Sequence, residues 1–216
     1  MADCCDPRGC DREFDDRFAR RSAAAYRSQG LSRSAEAMVS ALERRGIEGA
    51  SVLEIGGGVG AIHLELLRRG AATATNLELS PAYDAEAARL VAEAGLTGRV
   101  TRRIADLAVD ADAADDADVV VLHRVVCCYP DYRRLLGAAA SRARRLLVFS
   151  YPPRTLLTRG VVALDAARQR LVGREYRAFA HPPEVMFAVL AAAGLAPERI
   201  HRDLAWRAAL AERRDG

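Results

Sequence analysis

Val52-Leu-Glu-Ile-Gly-Gly-Gly-Val-Gly60 is the stretch that decides the fold of this chain. A short apolar run breaks into glycines, and apolar residues resume at Ile62, Leu64, Leu66 and Leu67 with helical spacing. Strand, tight turn and helix start in that order form a nucleotide-binding loop. Glycine accepts positive φ and lets backbone approach a ligand, with helix N–H groups directed at it. A second segment, Asn76-Leu-Glu-Leu-Ser80, sets Glu78 and Leu79 at the end of another apolar strand. A carboxylate there can accept from both hydroxyls of a ribose. An adenosine-containing cofactor is the expected ligand.

Glycine loops are shared among cofactors. Gly56-x-Gly58-x-x-Ala61 satisfies the loose dinucleotide pattern, whereas a phosphate loop of the Gly-Lys-Ser/Thr kind is excluded because the chain contains no lysine. Glu54 sits two residues before Gly56. A carboxylate at that point repels pyrophosphate but suits a ligand carrying an ammonium group and a sulfonium. S-adenosylmethionine is such a ligand.

Glu54-Ile-Gly-Gly-Gly-Val-Gly60 resembles the first motif of class I S-adenosylmethionine-dependent methyltransferases. Glu78 is similar to their acidic residue after the second strand. Asp106, in Arg103-Ile-Ala-Asp-Leu107, is similar to the acidic residue after the third strand, which in the family faces the adenine amino group. Asp118-Val-Val-Val-Leu-His123 resembles their fourth strand, and the resemblance spans roughly residues 45–212. It implies a doubly wound, mostly parallel α/β sheet with an antiparallel C-terminal strand. It also implies a helical lid at the N-terminus, with Tyr26 facing the site and Phe18 and Arg21 nearby. The cofactor-binding set it implies is Glu54, Gly56, Gly57, Gly58, Gly60, Glu78, Leu79, Asp106, Leu107, His123 and Tyr26.

Length and composition agree. A chain of 216 residues, half of them apolar, can bury a full core without room for a second large domain. The expected division is a flexible tail and helical lid over 1–48 and a methyltransferase domain over 49–216, forming one compact unit. Apolar runs such as Val119 to Leu122 are strand-sized, far short of a membrane span. No secretory leader is visible, so a cytoplasmic location is expected. Net charge is +3, and the arginines of 17–33 are interleaved with nearby Asp11, Glu13, Asp15 and Asp16, which disfavours nucleic acid as partner. Monomer and homodimer both stay open.

Periodicity predicts one or two amphipathic helices before Arg45. Strands are expected near 51–55, 73–77, 99–104, 118–123 and 145–151, with helices near 60–69, 81–94, 110–116 and 131–143. A last helix from Pro182 to Ala193 and a closing hairpin over 195–201 and 204–210 follow.

In such a sheet the residues after each strand carry the function. Methyl transfer from a sulfonium is an in-line displacement that needs positioning, which supplies up to roughly 7–11 kcal/mol. A general base adds about 10²–10⁴-fold only where the acceptor must lose a proton. His123, after strand four, is the candidate base because histidine titrates near neutrality; a hydrogen-bonding or cofactor contact is its other reading. Tyr129 and Tyr151 are candidates to cover or orient an acceptor. Arg124, Arg154 and Arg159 are candidates to meet an acidic one.

Cys4, Cys5 and Cys10 in the tail and Cys127 and Cys128 after strand four lack zinc-ribbon spacing, so reduced thiols and no metal are expected. Leu122-His-Arg-Val-Val-Cys-Cys-Tyr-Pro-Asp131 with Ser150-Tyr-Pro-Pro153 is similar in layout to magnesium-protoporphyrin O-methyltransferases, except that Cys128 replaces a histidine. The expected function is methyl transfer to a small-molecule acceptor, with a porphyrin as an alternative acceptor. An NAD-dependent oxidoreductase and a non-catalytic cofactor-binding protein are the rivals from other classes.

Overall fold

Val119 and Val121 belong to one buried cluster and Val120 and Leu122 to another, so the strand carrying them is covered on both faces. A computed structural model describes residues 13–171 and 176–214. The expectations for the tail and for Cys4, Cys5 and Cys10 lie outside the described residues. Seven strands form one sheet: β1 (Ser51–Ile55), β2 (Thr73–Glu78), β3 (Val100–Ile104), β4 (Ala117–Leu122), β5 (Ala143–Tyr151), β6 (Leu195–Arg202) and β7 (Arg207–Arg213). Their order is β3-β2-β1-β4-β5-β7-β6. β1 to β5 pair in parallel, and β7 runs antiparallel to both β5 and β6. This is the doubly wound, Rossmann-like sheet of a methyltransferase fold.

The described residues also form the α-helices α1 (Asp16–Gln29), α2 (Arg33–Arg44), α3 (Ala61–Arg68), α4 (Asp84–Glu93), α5 (Tyr132–Arg142), α6 (Leu156–Leu171) and α7 (Pro183–Ala192). Local chemistry fixes their starts. Asp15 caps α1 by accepting from Phe18 N–H at 2.8 Å, and Asp131 caps α5 by accepting from Arg134 N–H at 3.1 Å. Ala35, Met38, Val39 and Leu42 of α2 are buried in the cluster that also holds Val148 and Leu210, and α2 lies over β5, β6 and β7. α5 and α7 pack on the opposite face, where Leu136, Leu190 and Phe149 share the other cluster.

Two expectations about elements need correction. The helix near 110–116 is only a 3₁₀ turn, Ala111–Ala113. Asp110 there accepts from Asp112 N–H at 3.0 Å, so an aspartate-rich run satisfies its backbone locally instead of in a helix. The second hairpin strand begins at Arg207, because Asp203 accepts from Ala205 and Trp206 N–H groups and holds those residues in the turn. Helix α6 was not anticipated. Its Leu156, Leu164 and Leu171 are exposed, so its pattern does not match a helix docked by its apolar face. Among the described residues no helix is long and apolar enough to cross a membrane.

Candidate functional site

Strand order reverses between β1 and β4, and a cavity of about 470 Å³ opens at the carboxyl ends of the strands there. Gly56, Gly57 and Gly58 form one wall and Glu78 with Leu79 the next. Asp106 and Leu107 follow, and then the segment from His123 to Tyr129. Phe14, Phe18 and Ser22 close it from the N-terminal side.

The glycine loop is held from below by β2. Gly56 N–H donates to Leu77 O at 2.7 Å, Gly57 N–H to Asn76 Oδ1 at 3.3 Å and Gly58 N–H to Glu78 Oε2 at 2.8 Å. The three loop amides are therefore engaged within the protein. A pyrophosphate would find none of these three amides as a free donor. Gly56 has φ of 63°, and a Cβ there would lie 2.6 Å from Val125 Cγ2, so glycine lets the loop meet the segment after β4.

Glu54 does not line the cavity. It is buried, its Oε2 accepts from His63 N–H at 3.1 Å and lies 2.6 Å from His63 Nδ1. The His63 ring occupies the space into which a side chain at Gly60 would project, and Gly60 also stands outside the cavity wall. Both residues shape the loop from behind, which corrects the expectation of direct contact.

Glu78 Oε1 accepts from Leu79 N–H at 2.8 Å and Ser80 N–H at 3.2 Å, while Oε2 takes Gly58 N–H. An ionised carboxylate offers about four lone-pair sites. One is left, on Oε2, for a donor in the cavity. Asp106 Oδ1 accepts from Ala108 N–H and Oδ2 from Tyr129 O–H, both at 2.9 Å. Each oxygen keeps a second lone pair. Acceptors on Glu78 and Asp106, separated by Ile55, Leu77, Leu79 and Leu107, fit a flat apolar ring bearing O–H and N–H donors.

His123 Nδ1 lies 3.1 Å from Ser150 Oγ, which also accepts from Arg124 N–H at 2.8 Å. Burial, and then the neighbouring Arg124 charge, lower the His123 pKa to about 3. The imidazole is therefore neutral, and the expectation of a group titrating near neutrality is corrected.

Other candidates fall elsewhere. Tyr26 O–H donates to Glu65 at 2.6 Å and accepts from Arg68 at 2.8 Å, away from the cavity wall. Tyr151 is buried, with its ring 5.4 Å from that of Phe149, and it borders a separate shallow cleft with Arg154, Arg199 and Arg207. The side chain of Arg159 lies outside the described residues. Tyr129 does line the cavity, with its hydroxyl on Asp106. Cys127 and Cys128 line it too, 3.6 Å apart at sulfur, and Cys128 Sγ lies 3.1 Å from Tyr176 O–H. The hydrogen bond between the thiols, together with burial, raises the Cys127 pKa; the same bond lowers that of Cys128.

The sequence reading missed Tyr83, Tyr176 and Trp206, all in the wall. Trp206 was within reach. Because β7 runs antiparallel, with Tyr151 opposite Arg207, its first residue sits at the carboxyl edge of the parallel strands. The residue before it must face the cleft.

Comparison with known proteins adds the family. The model of the methyltransferase domain family matches residues 24–194. The chain belongs to this family. Together with the fold, this makes it a class I S-adenosylmethionine-dependent methyltransferase. No curated protein matches the methyltransferase in sequence. Among solved structures, it is similar to the magnesium protoporphyrin IX methyltransferase of Synechocystis PCC 6803 with bound S-adenosylhomocysteine. That match has 22% identity, covers 84% of this chain and 82% of the other, and has a TM-score of 0.66. An O-methyltransferase family protein from Burkholderia thailandensis matches at 22% identity over 94% of this methyltransferase and 64% of that chain, with a TM-score of 0.69.

Proposed function

We propose that the cavity binds S-adenosylmethionine and that the enzyme transfers its methyl group to a small-molecule acceptor entering from the side of His123, Arg124, Cys128, Tyr176 and Trp206. The observation that carries this reading is the pair of carboxylates, Glu78 and Asp106, at the ends of adjacent strands with lone pairs directed at one cavity. Glu78 would hold one ribose hydroxyl, Asp106 the adenine amino group, and Leu79 and Leu107 the ring faces. The bound cofactor supplies a methyl group on a positively charged sulfur. The chain itself supplies orientation and water exclusion, with Phe14 and Phe18 covering the cavity mouth. His123 in its neutral form orients an acceptor by hydrogen bonding.

A cavity of about 470 Å³ that takes cofactor and acceptor together favours an acceptor much smaller than a tetrapyrrole.

Thermal unfolding with S-adenosylhomocysteine, S-adenosylmethionine and NAD tests the cofactor. At ligand concentrations near 100 times Kd, stabilisation of about 2.7 kcal/mol is expected for the first two and none for NAD. Stabilisation by NAD alone would sink the proposal. Transfer of labelled methyl to a panel of small acids, amines, phenols and magnesium protoporphyrin then tests the acceptor. Cofactor binding with no transfer to any of them would leave a binding protein.

A further inference from the structure

Arg124 is a charged residue in the cavity wall that cofactor binding does not explain. Its φ is 60°, and among the described residues no other non-glycine residue has a positive φ. That conformation is uncommon for an arginine and persists only where surroundings enforce it. The surroundings are on hand: Arg124 N–H donates to Ser150 Oγ at 2.8 Å, and its carbonyl accepts from the Cys127 thiol at 3.4 Å. The guanidinium carbon stands 4.8 Å from the Trp206 ring centroid. Trp206 is itself pinned, its N–H donating to Asp203 Oδ1 at 2.7 Å.

The strained backbone and the Trp206 ring thus hold a cation at the cavity wall. Among the described residues its guanidinium donates no hydrogen bond within the protein, and Asp203, the carboxylate that acts on it, does not pair with it directly. A guanidinium held over an aromatic face by cation–π attraction keeps N–H donors for a planar, two-pronged anion.

We infer that Arg124 is the specificity residue for the acceptor and binds its carboxylate, so that the acceptor is a monoanionic carboxylic acid with an apolar or aromatic body. This rests on the reading of the cavity as a methyl-transfer site. The apolar body has its wall: Phe14 and Tyr176, with ring centroids 5.5 Å apart, and Trp206. A single negative charge is favoured over a phosphate, because the same wall carries Glu13, Glu78 and Asp106 against one guanidinium. Burial lowers the Arg124 pKa, yet a guanidinium stays charged, so its partial desolvation favours an anion beside it.

The test uses the full chain saturated with S-adenosylhomocysteine, titrated calorimetrically with 4-hydroxybenzoate, indole-3-acetate and octanoate, each beside its primary amide, and with phenyl phosphate. At least one acid is expected to bind roughly tenfold or more tightly than its amide, which corresponds to about 1.4 kcal/mol. Arg124→Asn is the first variant, because asparagine tolerates the left-handed backbone; Arg124→Gly is the second should the first not fold. Either is expected to erase the preference for acid over amide. Equal binding of acid and amide in every pair overturns the inference. So does an acid preference that survives in the variant, or tighter binding of phenyl phosphate than of any acid. Failure of the wild-type protein to bind S-adenosylhomocysteine overturns the proposed function instead, and the two failures are read from separate titrations.

Discussion

His63 Nδ1 lies 2.6 Å from Glu54 Oε2 with both side chains buried, and this pair holds the acidic residue of the glycine loop inside the protein. Glu54 also accepts His63 N–H, so one carboxylate fixes both the ring and the first turn of α3. A Cβ on Gly57 would come within 2.8 Å of Glu54 Cδ and 2.7 Å of Asn76 Oδ1, which leaves the loop little room to move.

Removing one partner of this pair should be costly. Glu54→Ala is expected to lose about 3–5 kcal/mol in urea unfolding, since it leaves His63 without its buried partner. Glu54→Gln should lose less because an acceptor remains. A loss below about 1 kcal/mol for the alanine variant would contradict a buttressing role.

Glu78→Ala removes the lone pair assigned to the ribose and the acceptor of Gly58 N–H. S-adenosylhomocysteine affinity should fall at least tenfold by calorimetry, from loss of a charged hydrogen bond valued at about 1.5–3 kcal/mol. An unchanged Kd in a variant whose circular dichroism matches the parent would remove Glu78 from the site.

His123 gives a pH prediction with a definite sign. Its folded pKa, about 3, lies below the unfolded value near 6.5, so as pH falls below about 6.5 the unfolded chain binds a proton that the folded one refuses. Stability attributable to this group is intact above about pH 6.5 and declines toward pH 3. Between pH 7 and 5 the loss amounts to up to about 2 kcal/mol. His123→Asn should flatten that part of the stability profile, measured as the change in unfolding free energy at the two pH values. Parallel profiles for variant and parent would mean that the imidazole is not buried in its neutral form.

Tyr129→Phe separates two roles. With its hydroxyl on Asp106, its loss should reduce stability by about 1 kcal/mol and change turnover only a few-fold. A drop in kcat of a hundredfold or more at unchanged KM would assign the hydroxyl to the chemistry instead.

Much of this was legible from spacing. Alternating apolar strands and helices, the glycine break after Val52-Leu-Glu-Ile55 and the acidic residues after the next two strands gave the parallel core and the cavity walls Gly56, Glu78 and Asp106. These are local periodicities joined by a connection rule, so they survive in one dimension. The 3₁₀ turn at Ala111–Ala113 was not legible, because aspartate side chains compete with the helix there. Helix α6 was missed because it exposes leucines where a docked helix buries them.

Side-chain direction is where sequence stopped and tertiary structure decided. The sequence by itself determined that the chain has a strand–glycine–helix start, a doubly wound sheet and carboxylates after β2 and β3. Only packing decided that Glu54 turns to His63, that Tyr26 joins Glu65, and that Tyr151 enters the core beside Phe149. Only the antiparallel path of β7 brought Trp206 to Arg124. Strand order follows from local pattern, whereas the partner of a buried polar group depends on which distant segments the sheet brings alongside it, and desolvation then compels that group to bond to whatever it meets.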